Sequence, residues 1–221
     1  GTNAHLVVAA ADRSPPPVPT HDGPSLAVVT GSSRAAAVAH GRALAEALAA
    51  GTPWPALAAA TCTTRARLGW RAAVIADTSE EAVAALGSLE PQASLARARI
   101  VFLCTGQGAQ HAGVAATLAT ADGAFRADLY RVFDMLPGLR ARWEGGDPLT
   151  DTRWAQPMLF ALSWSLAEHW RRMGITPDAV LGHSVGEIAA AVITGVLTLE
   201  DGAVLVTARA EAMAEQPPGG A

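Results

Sequence analysis

Residues 182–186 read Gly-His-Ser-Val-Gly, a G-x-S-x-G pentapeptide that gives Ser184 the setting of a nucleophile. An apolar run, Ala179-Val180-Leu181, leads in, and a helix-like stretch beginning at Glu187 leads out. On such a strand-to-helix turn the backbone is strained, and bulky side chains two residues either side of the serine would clash. Gly182 and Gly186 remove them. The N–H groups that open the next helix point at any negative charge developing beside the serine. A serine hydroxyl also needs a base, and no histidine follows His183 in the 35 residues after the pentapeptide.

Three further positions carry chemical potential. Gly106-Gln107-Gly108 follows the apolar run Ile100-Val101-Phe102-Leu103-Cys104. A dinucleotide fingerprint is rejected there, because His111 stands where the third glycine belongs and no acidic residue ends a partner strand. Two glycines after a buried strand let backbone amides approach a ligand, as an oxyanion hole requires, and they equally suit an ordinary turn. Arg209 lies four residues after Leu205 and four before Met213, so an apolar helical stripe carries a permanent charge. It wants a carboxylate, or it snorkels to solvent or joins a structural salt bridge. Gln156, just ahead of Pro157, can cap a helix or line a pocket.

The elements that must position these residues alternate between strands and helices. Residues 26–29 and 71–76 read as buried strands. Between them, Ser32-Ser33 offers a cap for an Ala-rich helix over 34–50, and Pro53 and Pro55 open a second helical run to about residue 67. Ser79-Glu80-Glu81 starts a third. Residues 99–104 and 178–181 are strands of a second unit, joined by helical stretches. The clearest of these spans 157–173 with Leu159, Leu162, Leu166 and Trp170 on one stripe. Thr198 to Asp201 has the form of a capping box for a last helix over 199–215. Ahead of everything, residues 6–10 end an element and the Pro-rich segment 14–19 is a stiff connector.

Composition narrows the function classes. Half of the 221 residues are hydrophobic, enough for a substantial core in one or two domains. No apolar run approaches the roughly 18–20 residues of a membrane span, and residues 1–5 lack the basic start and apolar stretch of a signal peptide. Without an initiator methionine the sequence is expected to be an excerpt of something longer. The net charge of −4 and the absence of lysine argue against nucleic acid or an acidic membrane as partner. Cys62 and Cys104 lack metal-type spacing and are expected to be buried thiols of a reducing, cytoplasmic compartment.

Together these segments resemble the acyltransferase domain of a modular type I polyketide synthase, of the malonyl-CoA:acyl-carrier-protein transacylase family. Residues 1–5 resemble the closing strand of a preceding ketosynthase. Residues 20–96, with Thr64-Arg65-Ala66-Arg67, resemble the ketosynthase-to-acyltransferase linker domain. Residues 97–221 resemble the first part of the acyltransferase large subdomain, through the Gly-Gln-Gly loop, Ala155-Gln156-Pro157, the segment 177–184 and Leu199-Glu200-Asp201-Gly202-Ala203.

The resemblance implies an α/β fold. A small α/β linker domain precedes an incomplete α/β-hydrolase-like large subdomain with a parallel sheet, and the ferredoxin-like small subdomain is absent. It implies Ser184 as the acylated nucleophile, backbone N–H groups of Gln107 and Val185 as the oxyanion hole, and Arg209, Gln156 and His183 as substrate-binding residues. No bound cofactor is implied. The substrates are an acyl-CoA donor, malonyl-CoA or methylmalonyl-CoA, and the phosphopantetheine of an acyl carrier protein, with the ketosynthase of the same synthase as a partner. Val185 resembles malonyl-selective members, where methylmalonyl ones often carry glutamine.

Ala109 departs from the usual serine of the Gly-Gln-Gly loop, and Val114-Ala115 stands where Met-Gly is common. The resemblance implies that the family's general-base histidine belongs to a segment after those matched here, so the polypeptide by itself is expected to transfer acyl groups very poorly. Two other readings remain: a structural module that spaces two catalytic domains, and a serine hydrolase or thioesterase, which requires an acid and then a histidine after the serine.

Overall fold

A computed structural model describes residues 23–95 and 98–216. The expected element at 6–10, the connector at 14–19 and the final residues 217–221 lie outside the described residues. The chain divides into two compact units, 1–97 and 98–221.

In the first unit β1 (Ser25–Gly31) precedes α1 (Arg34–Ala49) and α2 (Trp54–Thr63), and β2 (Trp70–Ala76) precedes α3 (Ser79–Gly87) and β3 (Gln92–Ala93). The sheet is antiparallel in the order β1-β2-β3, with Ser25 opposite Ala76 and Gly31 opposite Trp70. Ser33 caps α1 by accepting from the Ala36 N–H at 3.1 Å. Thr78 and Glu81 form a complete capping box on α3. α2 ends at Thr63, four residues before its expected limit, where Thr63 and Thr64 hydroxyls turn back onto the Ala59 and Ala60 carbonyls. This helix also shields β1, because Thr61 Oγ1 accepts the Val28 N–H at 3.0 Å. Ala27, Val29, Leu44, Leu48, Trp54 and Val74 fill the core. The Trp54 indole N–H reaches the Ala76 carbonyl at 2.8 Å.

The second unit runs β4 (Val101–Cys104), α4 (Ala116–Ala121), α5 (Gly123–Phe133), α6 (Leu139–Glu144), α7 (Thr152–Arg172), β5 (Ala179–Gly182), α8 (Val185–Ile193) and α9 (Leu199–Ala214). β4 and β5 pair in parallel, Val101 opposite Ala179 and Cys104 opposite Gly182. Both strands therefore end side by side, and the loops that follow them meet at one crevice. Among the described residues only one face of this pair is well covered. Leu103 and Leu181 remain 71% and 62% exposed.

Two expectations for this unit change. α7 begins at Thr152 rather than 157, because Asp151 caps it by accepting the Arg153 N–H at 2.9 Å. Pro157 is thus accommodated inside the helix, and Gln156 belongs to the helix instead of preceding it. The expected stripe is only partly the buried one. Leu159 is buried, but Trp170 is 43% exposed, and Met158, Phe160, Ala161, Trp164 and Ala167 carry the core face. α7 packs against α5, α8 and α9, so apolar residues surround it and periodicity alone does not select the inner side. None of the described helices is long and apolar enough to cross a membrane.

Candidate active site

Ser184 sits at the N-cap of α8 with φ 55° and ψ −119°, outside the ordinary regions for a residue with a Cβ. Such a conformation costs on the order of 1–3 kcal/mol and needs its surroundings to hold it. The flanking glycines show how it is held. A Cβ on Gly182 would lie 2.4 Å from the backbone N and Cα of Glu187, and one on Gly186 would lie 2.2 Å from the Cys104 carbonyl oxygen. The first requirement is local to the turn. The second is imposed by β4, so the pentapeptide is shaped partly by a strand some 80 residues earlier in the chain.

Parallel pairing sets Gly106-Gln107 beside His183-Ser184-Val185. The His183 N–H donates to the Cys104 carbonyl at 3.0 Å, continuing the ladder past the end of β5. A Cβ on Gly106 would lie 2.4 Å from His183 Nδ1, so the imidazole occupies the space that the glycine leaves. Val185 is the first residue of α8, ahead of the first intrahelical hydrogen bond. Leu103, Thr105, Gly106, Leu181, Gly182 and His183 line a shallow hollow of about 350 Å³ next to the turn. Burial pushes the Cys104 thiol above its usual pKa.

On the other side of Ser184 four side chains form one directed hydrogen-bond chain. Arg209 donates through Nη2 to Ser184 Oγ at 2.9 Å and through Nη1 to Gln156 Oε1. Gln156, fully buried, donates through Nε2 to Thr152 Oγ1 at 2.7 Å and to Met213 Sδ at 3.3 Å. Thr152 donates its hydroxyl proton to Gln107 Oε1 at 2.9 Å. Arg209 comes from α9, which Thr198 caps by accepting the Asp201 N–H at 3.0 Å. The expected reciprocal box does not close there. The Asp201 carboxylate, one methylene shorter than glutamate, takes the Thr198 hydroxyl at 2.8 Å. Nor is the Leu205–Arg209–Met213 stripe buried, since Leu205 and Met213 are almost half exposed and Arg209 lies half-buried between them. Among the described residues Arg209 has no carboxylate partner, unlike Arg153, Arg171 and Arg172, each of which has one.

The structure thus brings Gln107, Gln156, Ser184 and Arg209 into one network, with Val185 and His183 adjoining it along the chain. Thr152 was missed because a helix drawn from 157 leaves it in a loop. The signal was an aspartate cap at 151, which places Thr152 and Gln156 one turn apart on a shared face. The other two histidines of this unit, His111 and His169, are engaged elsewhere. His111 Nδ1 lies 2.9 Å from the Ala112 carbonyl, and His169 Nδ1 lies 3.1 Å from Asp122 Oδ2. That carboxylate is held below the usual pKa by the backbone N–H of Phe125 first, with Ala124, His169 and Arg172 adding to it. Among the described residues no cluster of His, Cys, Asp and Glu is placed to hold a metal ion.

A family model described as "Acyl transferase domain" matches residues 101–221, more than half of the chain. This chain belongs to the acyl transferase domain family. It is 40% identical over 238 residues to erythronolide synthase EryA2 of Saccharopolyspora erythraea, covering 96% of this chain and 7% of that synthase. The acyltransferase domain from module 8 of the salinomycin polyketide synthase superposes with a TM-score of 0.73 at 33% identity, covering 86% of this chain and 50% of that one. The acyltransferase domain of SpnD, solved in complex with 2-(pent-4-yn-1-yl)malonyl, gives 0.75 at 25% identity, with 85% and 48% covered. The chain therefore spans about half of these solved acyltransferase domains and a small part of the synthase. Its homology is to the acyltransferase domains of modular polyketide synthases.

Proposed function

We propose that these residues belong to an acyltransferase that moves a malonyl-type unit from coenzyme A to the phosphopantetheine thiol of an acyl carrier protein through an acyl-Ser184 intermediate. The observation that carries this reading is the half-buried Arg209 guanidinium, hydrogen-bonded to Ser184 Oγ and lacking a carboxylate partner among the described residues. A permanent cation beside a nucleophile, with no anion of its own, matches an acyl group that brings a free carboxylate. The malonyl-type ligand in the SpnD domain fits the same chemistry.

In the first half-reaction Ser184 Oγ attacks the thioester carbonyl carbon while its proton passes to a base. The tetrahedral oxyanion is received by the N–H groups of Gln107 and Val185, and the C–S bond breaks to release coenzyme A. The base, having passed the first proton to the departing CoA thiolate, takes the carrier thiol's proton as that sulfur attacks the acyl-serine, and gives it to Ser184 Oγ as the ester C–O bond breaks. Gln156 holds Arg209 in place, and His183 lines the approach past Gly106. Val185 favours malonyl over methylmalonyl as the unit carried.

No imidazole is hydrogen-bonded to Ser184 among the described residues, so the 221-residue polypeptide alone is expected to acylate slowly. Intact-mass measurement after incubation with malonyl-CoA tests the assignment. Ser184→Ala removes any malonyl adduct completely. Arg209→Ala lowers adduct formation from malonyl-CoA relative to acetyl-CoA by about 10–100-fold, the worth of a charge-assisted hydrogen bond. An adduct that persists in the Ser184 variant, or an unchanged donor ratio in the Arg209 variant, overturns the reading. A rapid stoichiometric adduct on the unmodified polypeptide would show that it needs no further base.

A further inference from the structure

We infer that Thr152 is a positioning residue that orients the carboxylate-binding and oxyanion sides of the site together, an inference that rests on the proposed transfer of a carboxylated acyl group. A hydroxyl has one proton to give and lone pairs to receive with. Thr152 gives its proton to Gln107 Oε1 and receives Gln156 Nε2–H. The Gln156 amide is fully buried, so water cannot substitute for a lost partner. With Nε2 held by Thr152 and Met213 Sδ, Oε1 must face Arg209. The flipped amide would point N–H donors at a guanidinium that can only donate. Arg209 therefore fixes which way Gln156 faces, and Thr152 supplies the acceptor that the buried Nε2–H then needs, holding Gln156, and through it Arg209, in place. At its other end the same hydroxyl ties the side chain of Gln107, whose backbone N–H is the proposed oxyanion donor, to the first turn of α7.

Thr152→Val keeps the branched shape and removes both hydrogen bonds, while Thr152→Ser keeps the hydroxyl. Two readouts on the 221-residue chain separate the possible failures. Without ligand, hydrogen exchange of the Gln156 side-chain amide and the guanidinium NMR signals of Arg209 report the network directly. With ligand, calorimetric affinities for malonyl-CoA and acetyl-CoA report its use. In the valine variant the Gln156 amide is expected to exchange faster and the Arg209 signals to shift. Its preference for malonyl-CoA is expected to fall about tenfold, as for a buried donor that loses its acceptor. The serine variant restores all three. Unchanged Gln156 and Arg209 signals in the valine variant, or a serine variant that behaves like valine, overturn the inference whatever the ligand data show. If those signals respond but the unsubstituted chain has no preference for malonyl-CoA, the positioning stands and the carboxylated-acyl reading fails.

Discussion

The two units of this chain handle a β-sheet in opposite ways. In the first, a three-stranded antiparallel sheet has helix α2 against β1, and Thr61 answers a backbone donor of that strand. In the second, two parallel strands leave Leu103 and Leu181 largely exposed, while the segments after their C-terminal ends carry Ser184 and the proposed oxyanion donors Gln107 and Val185. The first unit uses its sheet to complete a core. The second uses its strands to aim loops. Antiparallel pairing staggers turns to both ends, whereas parallel pairing brings equivalent strand ends, and the polar groups after them, to one place.

Substitutions can break or sharpen this contrast. The largest effect is expected from Trp54→Ala, which removes a buried indole and its hydrogen bond to Ala76 and should cost the first unit about 3–5 kcal/mol. Hydrogen exchange should rise across residues 23–95 and stay unchanged across 98–216; a matching rise in the second segment would show that the two are one cooperative body. Gly186→Ala should act in the mirrored way, since its Cβ would press on the Cys104 carbonyl. A loss of about 1–3 kcal/mol is expected, confined to exchange in 98–216, with Ser184 acylation falling as well.

The smallest effect has the opposite sign. Ala115 adopts φ 69°, a left-handed conformation that favours glycine, at the position where glycine is the common residue of the resembled family. Ala115→Gly should stabilise the second unit by about 0.5–1 kcal/mol in denaturant titration, because relief of the strained φ exceeds the added freedom of the unfolded chain. A destabilised glycine variant would mean that the Ala115 methyl packs more favourably than its backbone is strained.

Local signals in the sequence were reliable where the physics is local. Ser33 announced α1 and Ser79-Glu80-Glu81 announced α3, whose cap is the preceding Thr78, because a cap needs only the next three residues. At Thr198 the same pattern was half misleading, since the length of the aspartate side chain decided which partner it reached. Pro157 misled more, because proline suits the first turn of a helix so well that it reads as a helix start, whereas here it lies inside α7. That single misplacement hid Thr152 while leaving Gln156 visible. No local pattern shows where His169 goes; the structure pairs it with Asp122.

The amino-acid sequence alone was enough to single out Ser184 as the proposed nucleophile, the need for glycine on both sides of it, and the residue types proposed to receive an oxyanion and a carboxylate. These follow from side-chain chemistry and from a turn five residues long. Only the tertiary structure decided that Gly186 answers to Cys104, that Arg209 reaches Ser184 across 25 residues, and that one threonine joins two glutamines 49 residues apart. Hydrogen bonds act over about 3 Å, and which groups come that close depends on helix packing and strand register.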